Sequence, residues 1–178
     1  MLKKFKTKFK GLIVIQRKKH KDKRGFLMEM LREETLGKKF KFQILSKSKK
    51  NVLRGLHFQL NKPQAKHITV IKGKILDIAV DLRKNSSTFG KVFTVELTDK
   101  NCKSIYIPAG FAHAYYSFEK ENIIYYKLDN YYAPKFENGI LYNDKDLKIK
   151  WPNKDMLISK KDKNLLTLYE FKKKFKSI

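Results

Sequence analysis

The stretch that decides the fold runs from His67 to Leu82 and reads HITVIKGKILDIAVDL. Two runs rich in β-branched residues, ITVI and ILDIAVDL, flank the turn Lys72-Gly73-Lys74 and predict two strands. In the second strand, alternation places Asp77, Ala79 and Asp81 on one face and aliphatic side chains on the other. A strand with two carboxylates on one face either lines a polar cavity or lies in water.

The same pattern of short strands and tight turns continues on both sides of this stretch. KVFTVEL and KSIYIP flank residues 98–101, and AHAYYSF and NIIYYKL flank residues 119–121. GLIVI at residues 11–15 predicts an earlier strand, and Asp22 to Gly25 predict a turn into another. Several short strands with regular turn signals predict a mainly β protein, either a sandwich or a barrel.

Two helices are predicted outside this region. Residues 30–37 read MLREETLG and predict a short helix that ends at Gly37. Near the C-terminus, Ser159 is predicted to be the N-cap of a helix with Asp162 at its N3 position. No internal repeat or linker-like segment interrupts the chain, so one domain over residues 1–178 is predicted.

The composition limits the class of protein. Forty-two Lys and Arg face 17 Asp and Glu, which gives a net charge of +25 and an attraction for polyanions. The lysines are scattered and no base-stacking motif accompanies them, so solvated lysine-rich faces are favoured over a nucleic-acid site. No apolar run approaches the ~20 residues of a membrane span. Cys102 is the single cysteine, which excludes an internal disulfide and predicts a cytoplasmic, reduced setting.

The histidines do not form a metal-binding pattern. The chain has four, at positions 20, 57, 67 and 113. Two ligands on one strand face must lie two residues apart, and the residue two after His57 is Gln59. His67 is adjacent to Lys66, so if Lys66 points into a cavity, His67 points away from it. The sequence therefore predicts no metal site.

The segment RGLHFQ at residues 54–59 carries the strongest chemical signal. It brings Arg54, His57 and Gln59 close together around a glycine, with His57 and Gln59 on one strand face. A neutral histidine is a natural general base near pH 7. The planar fork of Arg54 suits a phosphate or a developing oxyanion. Tyr126, in the strand NIIYYKL, is by composition alone more often a packed aromatic than a catalyst.

Taken together, the motifs resemble a known family. NVLRGLHFQ, AKHITVIKGKILDIAVDLRKNSSTFG, IPAGFAHAYYSF, YYKLDNYYAP and ISKKD, in this order and spacing, resemble the dTDP-4-dehydrorhamnose 3,5-epimerases from about residue 11 to residue 168. The resemblance implies a jelly-roll cupin barrel with a few short helices and a C-terminal helix. It also implies an enzyme without metal or cofactor that works as a homodimer with exchanged N-terminal strands. Its place would be dTDP-L-rhamnose biosynthesis, which feeds polysaccharide biosynthesis.

The implied reaction is an isomerisation, the inversion of C3 and C5 in dTDP-4-dehydro-6-deoxy-D-glucose to give dTDP-4-dehydro-L-rhamnose. A proton next to a ketone is weakly acidic, and its removal leaves an enolate that must be stabilised. By the resemblance, His57 is the base, Asp162 orients it, Lys66 steadies the enolate oxygen and Tyr126 is the acid on the opposite face. For Asp162 the alternative is a purely structural N3 carboxylate.

The resemblance also assigns substrate-binding positions. They are Arg24, Glu29, Arg54, His113, Tyr132, Glu137 and Lys161. Arg24 and Glu29 are implied to reach into the neighbouring subunit's site. Gln59 joins this set from the RGLHFQ segment, and Gln43 joins it from the segment shortly before RGLH.

One segment departs from the family pattern. The family usually has a polar Gln-Asp-Asn segment shortly before RGLH, but an ungapped count places Phe42, Gln43 and Ile44 there. A one-residue shift lets Gln43 take the role of the glutamine. His20 stands where an aromatic residue usually stacks on the base. Two alternatives therefore stay open: a C3-only or C5-only epimerase acting on another nucleotide-linked 4-keto sugar, and a non-catalytic cupin that binds a sugar nucleotide or polyanion.

Overall fold

The computed structural model describes residues 2–175. Residue 1 and residues 176–178, at the two ends of the predicted domain, lie outside the described residues. Strands dominate the described part of the chain: β1 (Lys3–Lys6), β2 (Ile13–Gln16), β3 (Lys19–Asp22), β4 (Gly25–Met28), β5 (Phe42–Ser48), β6 (Leu53–Gln59), β7 (Lys66–Lys72), β8 (Lys74–Asp81), β9 (Val92–Thr98), β10 (Lys103–Ile107), β11 (Phe111–Ser117), β12 (Asn122–Leu128) and β13 (Glu137–Gly139). The helices are short: α1 (Glu33–Leu36), α2 (Leu168–Lys174) and two 3-10 helices at Pro134–Phe136 and Asp162–Asn164.

The strands form a jelly roll. One sheet has the order β1-β2-β10-β7-β12-β5 and the other the order β13-β6-β11-β8-β9, with antiparallel pairing throughout both sheets. From β5 to β12 the chain changes sheet at every connection except the one between β8 and β9. The Lys72-Gly73-Lys74 turn therefore carries the chain from one sheet to the other instead of closing a hairpin. The prediction of a mainly β, cupin-type jelly roll with a few short helices is confirmed.

Alternation along β8 separates two apolar layers. Ala79 packs between the two sheets with residues such as Ile68 and Ile105. Ile78 and Val80 point the other way and are covered by the C-terminal segment. The two carboxylates of β8 are buried and hydrogen-bonded, Asp77 with His113 and Asp81 with the loop after the strand, so the strand does not lie in water.

The C-terminal helix begins later than predicted. Ser159 Oγ accepts a hydrogen bond from the Asp162 amide at 3.0 Å. This bond precedes only a single 3-10 turn, and the backbone is extended again at Leu165. The extended chain lets the Leu141 amide donate to the Leu166 carbonyl, a tertiary contact that a continuous helix would remove. Thr167 then caps α2 in a capping box with Glu170. The prediction of Ser159 as the helix N-cap is wrong.

The N-terminal elements follow the sequence signals in part. Helix α1 covers only Glu33–Leu36 of the predicted residues 30–37, but it ends as predicted at Gly37, whose φ of 61° is left-handed. Strands β3 and β4 form a separate two-stranded ribbon around the predicted turn. Phe26 and Leu27 on this ribbon are exposed. Within residues 2–175, no helix is long and apolar enough to span a membrane.

Candidate active site

A pocket of about 610 Å³ lies between the two sheets. Strands β5, β7 and β12 line it from one sheet, and β6 and β11 from the other. Of the thirteen predicted site residues, ten line this pocket: Arg54, His57, Gln59, Lys66, His113, Tyr126, Tyr132, Glu137, Lys161 and Asp162. The jelly-roll connectivity thus gathers positions that are more than one hundred residues apart in the chain.

The central feature of the pocket is a pair formed by His57 and Asp162. His57 Nε2 lies 2.8 Å from Asp162 Oδ1, and the Gly55 amide donates to Asp162 Oδ2 at 3.2 Å. Burial would raise the pKa of Asp162, but the hydrogen bonds from His57, Gly55 and Ser159 outweigh it and the pKa is lowered. The carboxylate therefore stays ionised and faces the histidine. This geometry disfavours the alternative in which Asp162 serves only as a helix N3 residue.

Gly55 allows this arrangement because β6 passes very close to β11. Its φ is +127°, and a Cβ at this position would lie 2.5 Å from both the Ala114 side chain and the His113 carbonyl oxygen. Any side chain here would push the two strands apart. The glycine of the RGLH motif therefore fixes the distance between strands and aims its amide at Asp162.

Lys66 enters the pocket at the start of β7. Its Nζ lies 3.5 Å from the His57 carbonyl oxygen. Burial lowers the pKa of Lys66 to about 8, although Asp77 and Glu137 act in the opposite direction. His67 points to the outer face, where its Nε2 lies 3.0 Å from Ser104 Oγ, as the alternation predicted.

A second histidine–carboxylate pair lies deeper in the barrel. His113 Nε2 lies 2.8 Å from Asp77 Oδ2, and both side chains are buried. Burial lowers the pKa of His113, against the opposing effect of Asp77. Asp77 was absent from the predicted site, although the alternation of β8 had placed it on the polar face.

Tyr126 comes from the sheet opposite to His57. It lies on β12, is only 6% exposed, and its ring packs edge-on against His113 with centroids 6.1 Å apart. Burial raises the pKa of Tyr126 well above its usual value, and Asp77 acts in the same direction. The tyrosine therefore keeps its proton over the physiological range. The pocket thus has a histidine–carboxylate pair on one wall and a protonated phenol on the other.

The rim of the pocket carries a polar cluster. The Tyr132 hydroxyl donates to Glu137 Oε2 at 2.6 Å, and Lys161 Nζ contacts the same oxygen. Burial would raise the pKa of Glu137, but these two bonds lower it. Arg54, on the facing side, donates to Ser48 Oγ at 3.1 Å. Ionised groups of both signs therefore surround the entrance.

Gln59 has a supporting position in the pocket. Its amide nitrogen donates to the carbonyls of Lys62 and Tyr131, and its oxygen accepts from the Ala133 amide. Two of these bonds, those with Tyr131 and Ala133, hold the loop that carries Tyr132. Gln59 therefore helps to shape the pocket wall, and because it also lines the pocket, its role as a substrate ligand stays a prediction.

Three predicted residues do not line the pocket of their own chain. Arg24 pairs with Asp22 and Glu29 pairs with Arg32, all on the exposed N-terminal part. Gln43 lies on the outer face of β5 and hydrogen-bonds with Tyr125.

The prediction of Gln43 as a pocket ligand is wrong because of strand parity. Phe42 and Ile44, its neighbours on β5, line the pocket, so Gln43 must point the other way. The ungapped count is therefore the one that describes β5. The wall that the family pattern makes polar is apolar in this chain.

Tyr115 was also missed by the sequence reasoning. It lines the pocket from β11, two residues after His113, with its hydroxyl hydrogen-bonded to serines of β5. The signal was the spacing, since residues two apart on a strand share a face.

Within residues 2–175, no group of three or more His, Cys, Asp and Glu side chains is arranged to hold a metal ion. In each of the pairs His57–Asp162 and His113–Asp77, one hydrogen bond of 2.8 Å joins the two side chains.

Comparison with known proteins gives a consistent result. The family model described as dTDP-4-dehydrorhamnose 3,5-epimerase matches residues 6–170. A protein of that description from Methanothermobacter thermautotrophicus is 42% identical over 173 residues, which cover 93% of this chain and 94% of the relative. A Shigella flexneri protein of the same description is 41% identical, over 89% of this chain and 92% of the relative.

Solved structures agree with the sequence relatives. The dTDP-6-deoxy-D-glucose-3,5-epimerase of Legionella pneumophila, solved in complex with dTDP-4-keto-L-rhamnose, superposes with a TM-score of 0.91 at 36% identity, covering 95% of this chain and 94% of that one. A 3′-monoepimerase from Streptomyces bikiniensis, in complex with dTDP-quinovose, gives a TM-score of 0.87 at 29% identity, covering 93% and 87%.

Proposed function

This chain belongs to the dTDP-4-dehydrorhamnose 3,5-epimerase family and is an isomerase, and we propose that His57, Asp162, Lys66 and Tyr126 carry out its reaction. The reaction inverts C3 and C5 of dTDP-4-dehydro-6-deoxy-D-glucose and gives dTDP-4-dehydro-L-rhamnose. The observation that carries the proposal is the pairing of His57 with Asp162 on one wall of a pocket whose opposite wall holds a protonated Tyr126.

Inversion next to a ketone needs two groups on opposite faces of the sugar ring. His57 removes the proton from the carbon beside the C4 carbonyl, and the ionised Asp162 stabilises the imidazolium that forms. Tyr126 then delivers its proton to the same carbon from the other side. The two sheets of the barrel supply the two faces, because His57 lies on β6 and Tyr126 on β12.

The intermediate of each inversion is an enolate, whose charge lies on the C4 oxygen. Lys66 is a half-buried cation beside the base, so its ammonium group is suited to stabilise that oxygen. The ketone supplies the acidity of both neighbouring C–H bonds. One set of residues can therefore serve both carbons in turn, with no net oxidation or reduction.

The diphosphate and the nucleotide need cations and polar groups at the entrance. Arg54 and Lys161 are suited to the phosphate oxygens. His113 lies deeper, where its pairing with Asp77 fixes the ring. Tyr132 offers an aromatic wall for the sugar. The apolar residues of β5 then contact the substrate where family members usually present polar groups.

Arg24 and Glu29 support a homodimer. They lie on an exposed ribbon, away from the pocket of their own chain, and this ribbon also exposes Phe26 and Leu27. Apolar side chains on an exposed two-stranded ribbon are suited to docking on another surface. We infer that the ribbon of each subunit reaches the pocket of its partner, by exchange of N-terminal strands, in a cytoplasmic enzyme.

Solvent exchange tests the proposal. The protein is mixed with dTDP-4-dehydro-6-deoxy-D-glucose in deuterated water, and the sugar is followed by NMR and mass spectrometry. Deuterium at C3 and C5 with inversion at both is expected. His57→Ala is expected to abolish exchange, whereas Tyr126→Phe keeps exchange but loses inversion. Tyr116→Phe is the matched control, because Tyr116 lies on β11, bonds Asn51 at 2.6 Å and is absent from the pocket lining.

The other outcomes distinguish the alternatives. Deuterium at a single carbon would identify a C3-only or C5-only epimerase, an activity that the monoepimerase structure makes worth testing. Exchange only with another nucleotide-linked 4-keto sugar would change the substrate and keep the mechanism. Tight binding of such sugars without any exchange would indicate a non-catalytic binding protein. Wild-type exchange in His57→Ala would overturn the assignment of the base.

A further inference from the structure

Tyr115 is a buried tyrosine whose hydroxyl reaches the pocket. It lies on β11, is 2% exposed, and packs its ring in the core between the sheets. Its hydroxyl lies 2.9 Å from Ser46 Oγ and 2.8 Å from Ser48 Oγ, both on β5. A phenol buried for packing alone needs one partner, whereas this hydroxyl is held from two sides.

Register places this hydroxyl next to Tyr126. Strand β12 pairs with β5 so that Tyr126 is opposite Ile44 and Ile124 is opposite Ser46. Ile44 and Ser46 are successive pocket-facing residues of β5, so Ser46 holds the Tyr115 hydroxyl one step along the wall from Tyr126.

The hydrogen-bond partners of Tyr115 permit an arrangement in which its proton is free. Ser48 Oγ accepts from Arg54 Nε at 3.1 Å, so the hydroxyl proton of Ser48 is available for the Tyr115 oxygen. Ser46 can donate to the same oxygen, because a phenol oxygen accepts up to two hydrogen bonds. The single proton of Tyr115 can then be directed at Tyr126.

We propose that Tyr115 is a positioning residue for Tyr126, held by Ser46 and Ser48 so that it orients the Tyr126 hydroxyl and hydrogen-bonds the phenolate left after proton transfer. This inference rests on the proposed function. In the step it serves, the Tyr126 O–H bond breaks, the enolate electron pair forms the new C–H bond, and C4 becomes a ketone again. Tyr126 is left as a phenolate, accepts a hydrogen bond from Tyr115, and recovers a proton from water.

The physical need for such a group follows from the burial of Tyr126. A phenolate in an apolar pocket is strongly destabilised unless a donor faces it. His113 packs its ring against Tyr126 but has its Nε2 occupied by Asp77. Tyr115 supplies a donor that is already fixed before the reaction, so no reorganisation is needed at the moment of transfer.

The test is the ratio of inversion to exchange in Tyr115→Phe. This variant loses one oxygen, keeps the buried ring, and leaves His57 and its carboxylate in place. Exchange with retention is expected to continue near the wild-type rate, while inversion per exchange event falls about tenfold. Tyr116→Phe, on the same strand but with its hydroxyl on Asn51, is expected to keep the wild-type ratio.

Two results would overturn the inference. One is a wild-type ratio in Tyr115→Phe, and the other is an equal loss of exchange and inversion, which indicates a general role in pocket structure. If Tyr115→Phe does not fold, Ser46→Ala decides, because the Tyr115 hydroxyl is the one side-chain partner that the described structure gives Ser46. A smaller fall in the same ratio is then expected, and an unchanged ratio rejects the idea. Failure of the proposed function looks different, since wild type itself would then show no exchange.

Discussion

The alkaline loss of activity is the most direct test of the electrostatics of the pocket. Burial lowers the pKa of Lys66 to about 8, so this side chain changes charge within an accessible pH range. The proposed mechanism needs the ammonium form, because only a cation stabilises the enolate oxygen. The group is protonated below its pKa and neutral above it, so activity must fall as the pH rises.

The size of the fall follows from the titration. With a pKa of about 8, roughly nine-tenths of the enzyme carries the charged lysine at pH 7 and roughly one-tenth at pH 9. The specificity constant kcat/KM reports the free enzyme, so it should decrease about tenfold over that interval. The alkaline decrease in kcat should occur at a higher pH than the decrease in kcat/KM, because the bound diphosphate and the developing enolate favour the ammonium form.

Replacing the amine separates Lys66 from other titrating groups. A Lys66→Cys variant alkylated with 2-bromoethylamine carries a thioether analogue of lysine whose amine is more acidic. The alkaline limb of kcat/KM should then move to lower pH. Cys102 is buried, and wild type treated with the same reagent controls for its modification.

The reasoning is refuted if the alkylated variant is active and keeps the wild-type midpoint. It is also refuted if kcat/KM of wild type stays constant up to pH 9.5. In that case either Lys66 loses its charge with no effect on activity, or it remains charged over the whole range. Lys66→Met should be strongly impaired at every pH, which separates a requirement for charge from a requirement for shape.

Two further predictions follow from the dimer and from the packing of β6. If Arg24 serves the partner's pocket, Arg24→Ala and His57→Ala subunits that are mixed in equal amounts, unfolded and refolded together should recover about a quarter of wild-type activity. The reason is that half of the dimers are mixed and each mixed dimer holds one complete pocket. No recovery would place Arg24 outside the partner's site. Gly55→Ala should lower the free energy of unfolding by at least about 3 kcal/mol, because its Cβ meets backbone at 2.5 Å. Gly37 is also at positive φ but has nothing within 4 Å of its Cβ, so Gly37→Ala should cost only about 1 kcal/mol. Both free energies of unfolding are measured by chemical denaturation at a fixed protein concentration. Equal losses in the two variants would contradict the role of the close strand contact.

The local sequence pattern predicted much of the fold. The strand alternation around Lys72-Gly73-Lys74 predicted the polar and apolar faces of β8 and the outward direction of His67. It did not predict that this turn joins two different sheets. A tight turn between two β-rich runs is compatible with a hairpin or with a crossing between facing sheets, and only the long-range pairing of β7 with β10 and β12 decides between them.

The errors in the predicted site have physical causes of the same kind. Gln43 was placed by counting residue types, but strand parity turned it outward and put Phe42 and Ile44 in the pocket. Ser159 carried a good cap signal, but the contact of Leu166 with Leu141 kept the following residues extended. Tertiary pairing overrode a local preference in both cases.

The electrostatics of the pocket explains why the large charge of the chain was a poor guide to its chemistry. Three cations, Arg54, Lys66 and Lys161, and two carboxylates, Glu137 and Asp162, line the pocket. The pocket therefore carries about one of the 25 net positive charges, and nearly all of the excess lysine lies elsewhere. A chain-wide positive field attracts a diphosphate-bearing substrate without distinguishing its carbons. In the proposed mechanism the inversion depends instead on groups held against one another: an ionised Asp162 on its histidine, and beside them Lys66 with its lowered pKa. Those properties come from burial and hydrogen bonds between distant segments, which net charge does not reveal.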